Sequence, residues 1–541
     1  MIVKNTTIQN KTKQDRLNNE HIIPTHCIGG AGVSDFLKSL LNYKVSKEVI
    51  LYSIGCKLLG DSKNVNVLNF LSEYNYQCID IEDVPKNEFD LLGSVYQYLN
   101  SKLENLQRGS FYTGYKTAID FVTDLSFSEG QTILDPSCGS GTFLFSSNAK
   151  SNQIVGVDND PIAVMIAKFN YFIKFPNADY PNIVCDDFFV WYSKNKIKFD
   201  YIIGNPPYGA TLNLSNINSK CVTSGESFSY FIEYGSSILN PGGILRYLLP
   251  ESILNVKKHS DIRSYILDNT NLTRIKQYKS KFSGVMSELY MLEIKNTSVG
   301  ADVVFEKTTE SIVPKHIFKT LKNNVFVYLT NTDISILNKV NSKKEFTLQN
   351  SIFGLGVVTG NNKEKLLDNP TDNSEPIYSG KEVSKYKLLP AKKHIVFNRN
   401  ELQQVASDAI YRAPKKLVYK TINKCIKVAL DTTQSLTTNS ANIVIPIIDG
   451  VDIYTIMGLL NSQIYSFLNI KMFGGVNKIA KENLQSLPLP KLSNTENLQI
   501  KELVLLAINT DDDTELQKFI HQNIFNLSED EVEYINLEIL K

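Results

Sequence analysis

The sequence predicts an α/β architecture built on a doubly wound, mostly parallel sheet, and three observations carry that reading. From about Thr132 to Lys295, short β-branched apolar runs alternate with stretches of helical periodicity, a pattern that puts helices on both faces of a parallel sheet. The runs are Thr132–Leu134, Ile154–Val157, Ile183–Cys185, Tyr201–Ile203, Gly243–Leu249 and Leu289–Ile294. Residues of chemical character cluster at their carboxyl ends, where open α/β sheets bind ligands. The chain is also too long, at 541 residues, for one such domain.

Flanking regions are therefore expected. Val33 to Leu59, Asn64 to Tyr74 and Leu91 to Leu106 space apolar residues at helical intervals, which predicts a small helical region behind a polar tail. A polar bridge runs from about Asn296 to Lys344, followed by short strands, turns and basic residues, and then by acidic helices. The expected organisation is 1–100 tail and helical region, 101–300 sheet domain, 301–345 connector, and 346–541 a mixed α+β domain with C-terminal helices.

Composition narrows the class. Hydrophobic residues at 42% and charged residues at 21% exclude a largely disordered chain. No apolar run approaches the ~18–20 residues of a membrane span, and the polar N-terminus lacks a signal-peptide core, so a cytoplasmic protein without membrane association is expected. Seven scattered cysteines with no CxxC pair suit reduced thiols rather than a disulfide framework or a zinc ribbon. His21, His26 and Cys27 lack a fourth ligand, and no metal is expected. The net charge of +1 hides a cancellation. Ser351 to Leu430 holds 14 Lys and Arg against 7 Asp and Glu, whereas Lys501 to Lys541 holds 3 against 10. The basic stretch is a candidate phosphate-binding face, although a solvated lysine surface would look the same.

Ile133-Leu134-Asp135-Pro136-Ser137-Cys138-Gly139-Ser140-Gly141-Thr142-Phe143 reads as strand, acid, tight glycine loop and helix. Gly139 and Gly141 let the backbone turn sharply against a ligand. A dinucleotide loop would carry a third glycine and keep acids from the phosphates. Here Asp135 opens the loop, which suits a cationic ligand, while a generic strand–helix turn remains open on this stretch alone. The second strand ends in Asp158, where a carboxylate can accept ribose hydroxyls. The third ends in Asp186-Asp187-Phe188, where Asp187 can accept from an adenine amino group and Phe188 can cover the purine face.

Asp200-Tyr201-Ile202-Ile203-Gly204-Asn205-Pro206-Pro207-Tyr208 is the most informative stretch. Two prolines fix the backbone and remove N–H donors, so the corner offers acceptors and suits a planar amine. The Asn205 side-chain oxygen and the Pro206 carbonyl can each accept from an exocyclic NH₂. Tyr208 offers a face for a base, worth ~1–3 kcal/mol by analogy with single-strand binders.

Together these motifs resemble the gamma-class amino-methylating DNA methyltransferases of restriction–modification systems. Gly109 to Thr113 resembles the family's motif ahead of the cofactor loop, with Gly114 where proline usually follows. Asn240-Pro241-Gly242-Gly243, Leu248-Leu249-Pro250 and Phe282-Ser283-Gly284-Val285 resemble later motifs in family order. Gly354 to Asn361, Leu459-Leu460-Asn461-Ser462 and Leu487-Pro488-Leu489-Pro490 resemble the target-recognition domain. The resemblance implies a seven-stranded S-adenosyl-L-methionine-dependent methyltransferase sheet and transfer to N6 of a flipped adenine in double-stranded DNA. It implies a separately encoded cognate restriction endonuclease as functional partner. Cofactor contacts fall on Thr113, Asp135, Cys138, Gly139, Gly141, Phe143, Asp158, Asp187, Phe188 and Asn205. Catalysis falls on Asn205, Pro206, Pro207, Tyr208 and Phe282, with Phe282 packing on the base opposite Tyr208. In the basic stretch Lys381, Arg399, Arg412, Lys415, Lys416, Lys420 and Lys424 would grip phosphates, with Tyr386, Tyr411, Tyr419 and Asn423 near base edges.

Rival readings are weaker. Enzymes that methylate protein glutamine or ribosomal guanine share Asn-Pro-Pro-Tyr but need no long basic region, and roughly 190 residues follow Phe346. Cytosine N4 methylation usually goes with serine in place of Asn205. A fused nuclease would need an acid and a Glu-x-Lys set. Glu293-Ile294-Lys295 is the one clear candidate and lies in a core strand, so cleavage is not expected. A non-catalytic DNA-binding scaffold would show degraded Asp158 or Asn205, and both are intact.

Overall fold

The computed structural model describes residues 32–86, 89–101, 113–278, 288–473 and 478–540. They divide into two compact units, Met1–Tyr328 and Leu329–Lys541.

The first unit is organised by a nine-stranded sheet. Its strands are β1 (Ile133–Asp135), β2 (Ile154–Asp158), β3 (Asn182–Cys185), β4 (Phe199–Gly204), β5 (Leu239–Pro250), β6 (Asn271–Tyr278), β7 (Leu289–Lys295), β8 (Asp302–Glu306) and β9 (Glu310–Pro314). The spatial order is β3-β2-β1-β4-β5-β7-β6-β8-β9. β3, β2, β1, β4 and β5 pair in parallel, and β7 runs antiparallel between β5 and β6. The first seven positions are the predicted doubly wound sheet. The order reverses between β1 and β4, so a crevice opens at the carboxyl ends of these two strands.

The six predicted strands are all present. Absent from the prediction was β6, in which buried Leu272, Ile275 and Tyr278 are separated by the half-buried polar pairs Thr273-Arg274 and Lys276-Gln277. The expected connector 301–345 also differs: its first part forms β8 and β9, and the units divide after Tyr328. Short strands with only alternate residues buried, such as Val303 and Phe305, read as polar sequence when periods are short.

The helical region is not a separate body. Helices Lys47–Leu59, Val65–Ser72 and Leu91–Leu99 share one core with the sheet helix Pro161–Lys174. Phe70 meets Phe169 edge-on at 4.8 Å, and Tyr52 meets the same ring at 5.7 Å. A Cβ on Gly55 would lie 2.6 Å from that ring, so glycine sets the closeness of the helices. Arg246 and Glu293 face each other across β5 and β7, 2.6 Å apart and buried, and Arg246 also grips Asp124. The acid of the Glu-x-Lys candidate is thus committed to a core ion pair.

The second unit mixes strands and helices. A five-stranded sheet runs Ile352–Gly354, Ala441–Ile445, Lys416–Lys420, Val428–Asp431, Tyr386–Lys387, and a smaller one runs Lys393–Ile395, Glu375–Tyr378, Leu436–Thr437. The recognition-domain motifs have structural roles here. A Cβ on Gly356 would lie 2.0 Å from the Thr438 carbonyl. Asn461 clamps Val428, accepting from its amide at 2.9 Å and donating to its carbonyl at 2.8 Å. Among the described residues no helix is long and apolar enough to cross a membrane.

Candidate active site

β1 delivers Asp135 to the crevice, where it is buried and accepts from the Ser137 amide at 3.0 Å. On neighbouring β4, a Cβ at Gly204 would lie 2.6 Å from Asp135 Oδ1, so the acid fixes glycine ahead of Asn205. The loop then turns through Gly139 and Gly141 with φ of +53° and +83°, the left-handed region glycine enters freely. The Cys138 amide donates to Val157 O at 2.9 Å, and the Gly139 amide to Asp158 Oδ2 at 2.8 Å. Loop and β2 tip hold each other.

Asp158 Oδ1 accepts from the Asp160 amide at 2.9 Å. Asp160 caps the Pro161–Lys174 helix and accepts from the Tyr96 hydroxyl at 2.5 Å. Asp187 caps helix Phe188–Lys194 through the amides of Phe189 and Val190, at 2.9 and 3.1 Å. Phe188 is buried against Phe231, rings stacked at 5.2 Å.

These residues line a cleft of about 480 Å³. Thr113, Asp135, Cys138, Gly139, Phe143, Asp158, Asp187, Phe188, Asn205 and Pro207 all border it. Gly141 shapes the loop, and Pro206 and Tyr208 stand behind the lining. Phe282 lies outside the described residues, as do Gly109 to Tyr112. Asn205 Nδ2 donates to Thr113 Oγ1 at 3.4 Å, and its Oδ1 accepts from the Tyr208 hydroxyl. The Tyr208 hydroxyl also lies 2.8 Å from the Leu248 carbonyl. In this structure Tyr208 therefore points its hydroxyl inward, where a buried phenol finds acceptors, and burial raises its pKa well above the usual range.

Three features escaped the sequence reading. Tyr96 and Asn100, from the helical region, border the cleft. Asp90 sits behind the loop and accepts from Ser140 Oγ at 2.5 Å, Thr142 Oγ1 at 2.6 Å and Asn170 Nδ2 at 2.8 Å. Its position ahead of an apolar-periodic helix is a capping signal, but partners 50 or more residues away leave no local trace.

The electrostatics are one-sided. Burial, and then the Asp158 charge, raise Asp135 well above the usual carboxylate range. Burial brings Asp158 up to about 6, with Asp160 adding repulsion against several backbone donors. A ligand carrying positive charge relieves that crowding, and the sulfonium and ammonium of S-adenosyl-L-methionine fit it.

In the second unit the basic residues separate into two kinds. Lys416 is a correction: it is fully buried, 2.7 Å from Asp431, and donates to Tyr411 O, so it supports the sheet and cannot reach a phosphate. Arg412 makes a two-point pair with Glu375, and Arg399 pairs with Asp408. Tyr386, Tyr411 and Tyr419 are buried and Asn423 donates to Cys425 O at 2.6 Å, so none of the four points freely outward. Among the described residues Lys381, Lys415, Lys420 and Lys424 form no ion pair. Lys416→Met should therefore cost roughly 3–5 kcal/mol by stranding Asp431. Urea unfolding reads this, and an unchanged midpoint would contradict the structural role.

Sheet order, glycine loop and acids at successive strand ends define a methyltransferase of the S-adenosyl-L-methionine-dependent class. Residues 152–282 match the family described as Eco57I restriction-modification methylase, and residues 375–489 match the TaqI-like C-terminal specificity domain. The chain is 25% identical over 308 residues to the Type II methyltransferase M.VspI of Vibrio sp. (strain 343), covering 54% of this chain and 75% of that one. It is 26% identical over 295 residues to the Type II methyltransferase M.CvrRI of Paramecium bursaria Chlorella virus XZ-6E, covering 53% and 70%. Its fold is similar to that of the Type IIL restriction-modification enzyme MmeI, solved in complex with DNA, with a TM-score of 0.52, 12% identity and 94% of each chain covered. Together these matches support a restriction–modification methyltransferase with a C-terminal recognition domain.

Proposed function

We propose that the protein methylates the N6 amino group of an adenine rotated out of double-stranded DNA, marking a specific site against a cognate restriction endonuclease. The observation that carries this reading is the placement of Asn205 at the end of β4, bordering the same cleft as Asp135, Asp158 and Asp187. When bound, S-adenosyl-L-methionine supplies an activated methyl group on a sulfonium centre. Asp158 accepts its ribose hydroxyls, Asp187 accepts from its adenine amine, and Phe188 packs on the purine.

The target amine is paired inside the duplex, so its base must be unstacked at a cost of a few kcal/mol. Asn205 Oδ1 and the Pro206 carbonyl then accept its two N–H groups, which holds the nitrogen lone pair out of conjugation. Asn205 Oδ1 is satisfied by the Tyr208 hydroxyl in this structure. The incoming amine takes the place of that hydroxyl on Asn205 Oδ1, while Tyr208 keeps the Leu248 carbonyl; Tyr208 and Phe282 are the aromatic residues this reading gives to the base. Orientation and fixed polar acceptors do the catalytic work. Asn205 rather than serine favours adenine over cytosine.

The unpaired Lys381, Lys415, Lys420 and Lys424 are the phosphate contacts this reading prefers over Arg399 and Arg412. Replacing any two of these lysines with alanine should lower duplex affinity and reduce the slope of log K against log salt by about 0.9 for each phosphate no longer neutralised. A titration from low to high salt with the wild-type slope in such variants would remove these residues from the DNA face. The function itself is tested by long-read sequencing of DNA from a host expressing the gene. Modified adenines at one recurrent sequence are expected, and a genome without them contradicts the proposal.

A further inference from the structure

The Asn-Pro-Pro-Tyr corner is short of donors of its own. Pro206 and Pro207 have no N–H, so a donor to the Pro207 carbonyl comes from another element. Three consecutive residues at the start of helix Ser227–Ser237 meet three consecutive residues of the corner. Ser227 is fully buried and its hydroxyl donates to the Pro207 carbonyl at 2.5 Å. Glu226 Oε1 accepts from the Gly209 amide at 2.6 Å. Phe228 meets the Tyr208 ring edge-on at 6.4 Å, with 78° between the planes. The segment is anchored just upstream, where Asp261 Oδ2 accepts from the amides of Thr223 and Ser224 at 2.6 and 2.8 Å.

We infer that Glu226, Ser227 and Phe228 form a positioning brace that fixes the peptide planes after Pro206, so that the Pro206 carbonyl and Asn205 keep a constant aim. This rests on the catalytic role proposed for Asn205. None of the three residues borders the cofactor cleft among its described lining, so their effect acts through the corner. With Pro207 O held by Ser227 and the Gly209 amide held by Glu226, rotation of the Pro207–Tyr208 and Tyr208–Gly209 peptides breaks a hydrogen bond each time. Without them the two acceptors for the target amine wander, and misplacement of about an ångström is enough to cost large factors in rate.

The test uses the full chain, S-adenosyl-L-methionine labelled in its methyl group, and unmethylated genomic DNA. Ser227→Ala and Glu226→Ala are expected to lower kcat by roughly ten- to a hundredfold, with KM for the cofactor unchanged and calorimetric affinity for S-adenosylhomocysteine retained. Glu226→Gln keeps an acceptor for the Gly209 amide and is expected to recover most of the loss. Glu226 is half-exposed, so its variants report on the brace even if the buried Ser227 variant folds poorly. Wild-type kcat in both alanine variants overturns the inference. So does a loss shared equally by cofactor affinity, or a glutamine variant as impaired as the alanine one. A wild type that binds cofactor and DNA yet transfers no methyl group overturns the catalytic reading, and the brace falls with it; a defect confined to the variants isolates the brace.

Discussion

Asn205→Ala is expected to leave cofactor binding intact and to lower methyl transfer by at least about 10²–10³-fold, the usual loss when one fixed polar partner is taken from a developing charge. The side chain touches Thr113 and Tyr208 and borders the cleft. Its removal deletes an acceptor for the target amine, and a cofactor-binding measurement on the same variant reads whether the cleft is intact. Tyr208 keeps the Leu248 carbonyl as a partner, so the corner retains a satisfied phenol. Single-turnover transfer with saturating cofactor separates the chemical step from binding. Unchanged turnover would refute the role given to the amide oxygen.

Asp158 gives the second large effect, and it has two signs. Asp158→Ala should weaken cofactor binding by about 3 kcal/mol, on the order of a hundredfold in Kd, since hydrogen bonds to a charged acceptor are lost. The variant also frees the Gly139 amide, so the loop loses its tie to β2. In the cofactor-free protein, however, the same carboxylate is a burden. Its pKa is raised from 3.8 to about 6 in the folded protein. Between those values the folded state binds more protons than the unfolded one, so stability falls as pH rises through that window. The change is on the order of 2–3 kcal/mol at full effect. Asp158→Asn should thus stabilise the cofactor-free protein at pH 8 while weakening cofactor binding. Cofactor affinity of the wild type should also decline below about pH 6 as the acid takes up its proton. Thermal shift and calorimetry across pH decide both; an Asn variant less stable and equally tight would contradict the assignment.

How much of this was legible in the sequence depends on the range of the interaction. The β1 loop, Asp158, Asp187 and the Asn205 corner were readable because each is a strand running into a few special residues, a local pattern. Gly139 and Gly141 declare a turn that only glycine makes. Strand β6 and the β8–β9 hairpin were not readable, because half of their positions are polar and answer to partners such as Asp124, Asp120 and Glu306. Asp90 and Tyr96 were missed for the same reason: their partners in the loop and at Asp160 lie 50 or more residues away. In the second unit a count of lysines could suggest a basic face but could not see that Lys416 is buried on Asp431. Charge is written in the sequence, whereas pairing is a property of the fold.

The central claim is that this corner delivers an adenine amine to the methyl donor. The most direct measurement is nucleoside mass spectrometry of duplex DNA incubated with the full chain and S-adenosyl-L-methionine carrying a deuterated methyl group. The account predicts label in N6-methyldeoxyadenosine alone, absent with Asn205→Ala. Label in N4-methyldeoxycytidine, or in no nucleoside at all, would contradict it.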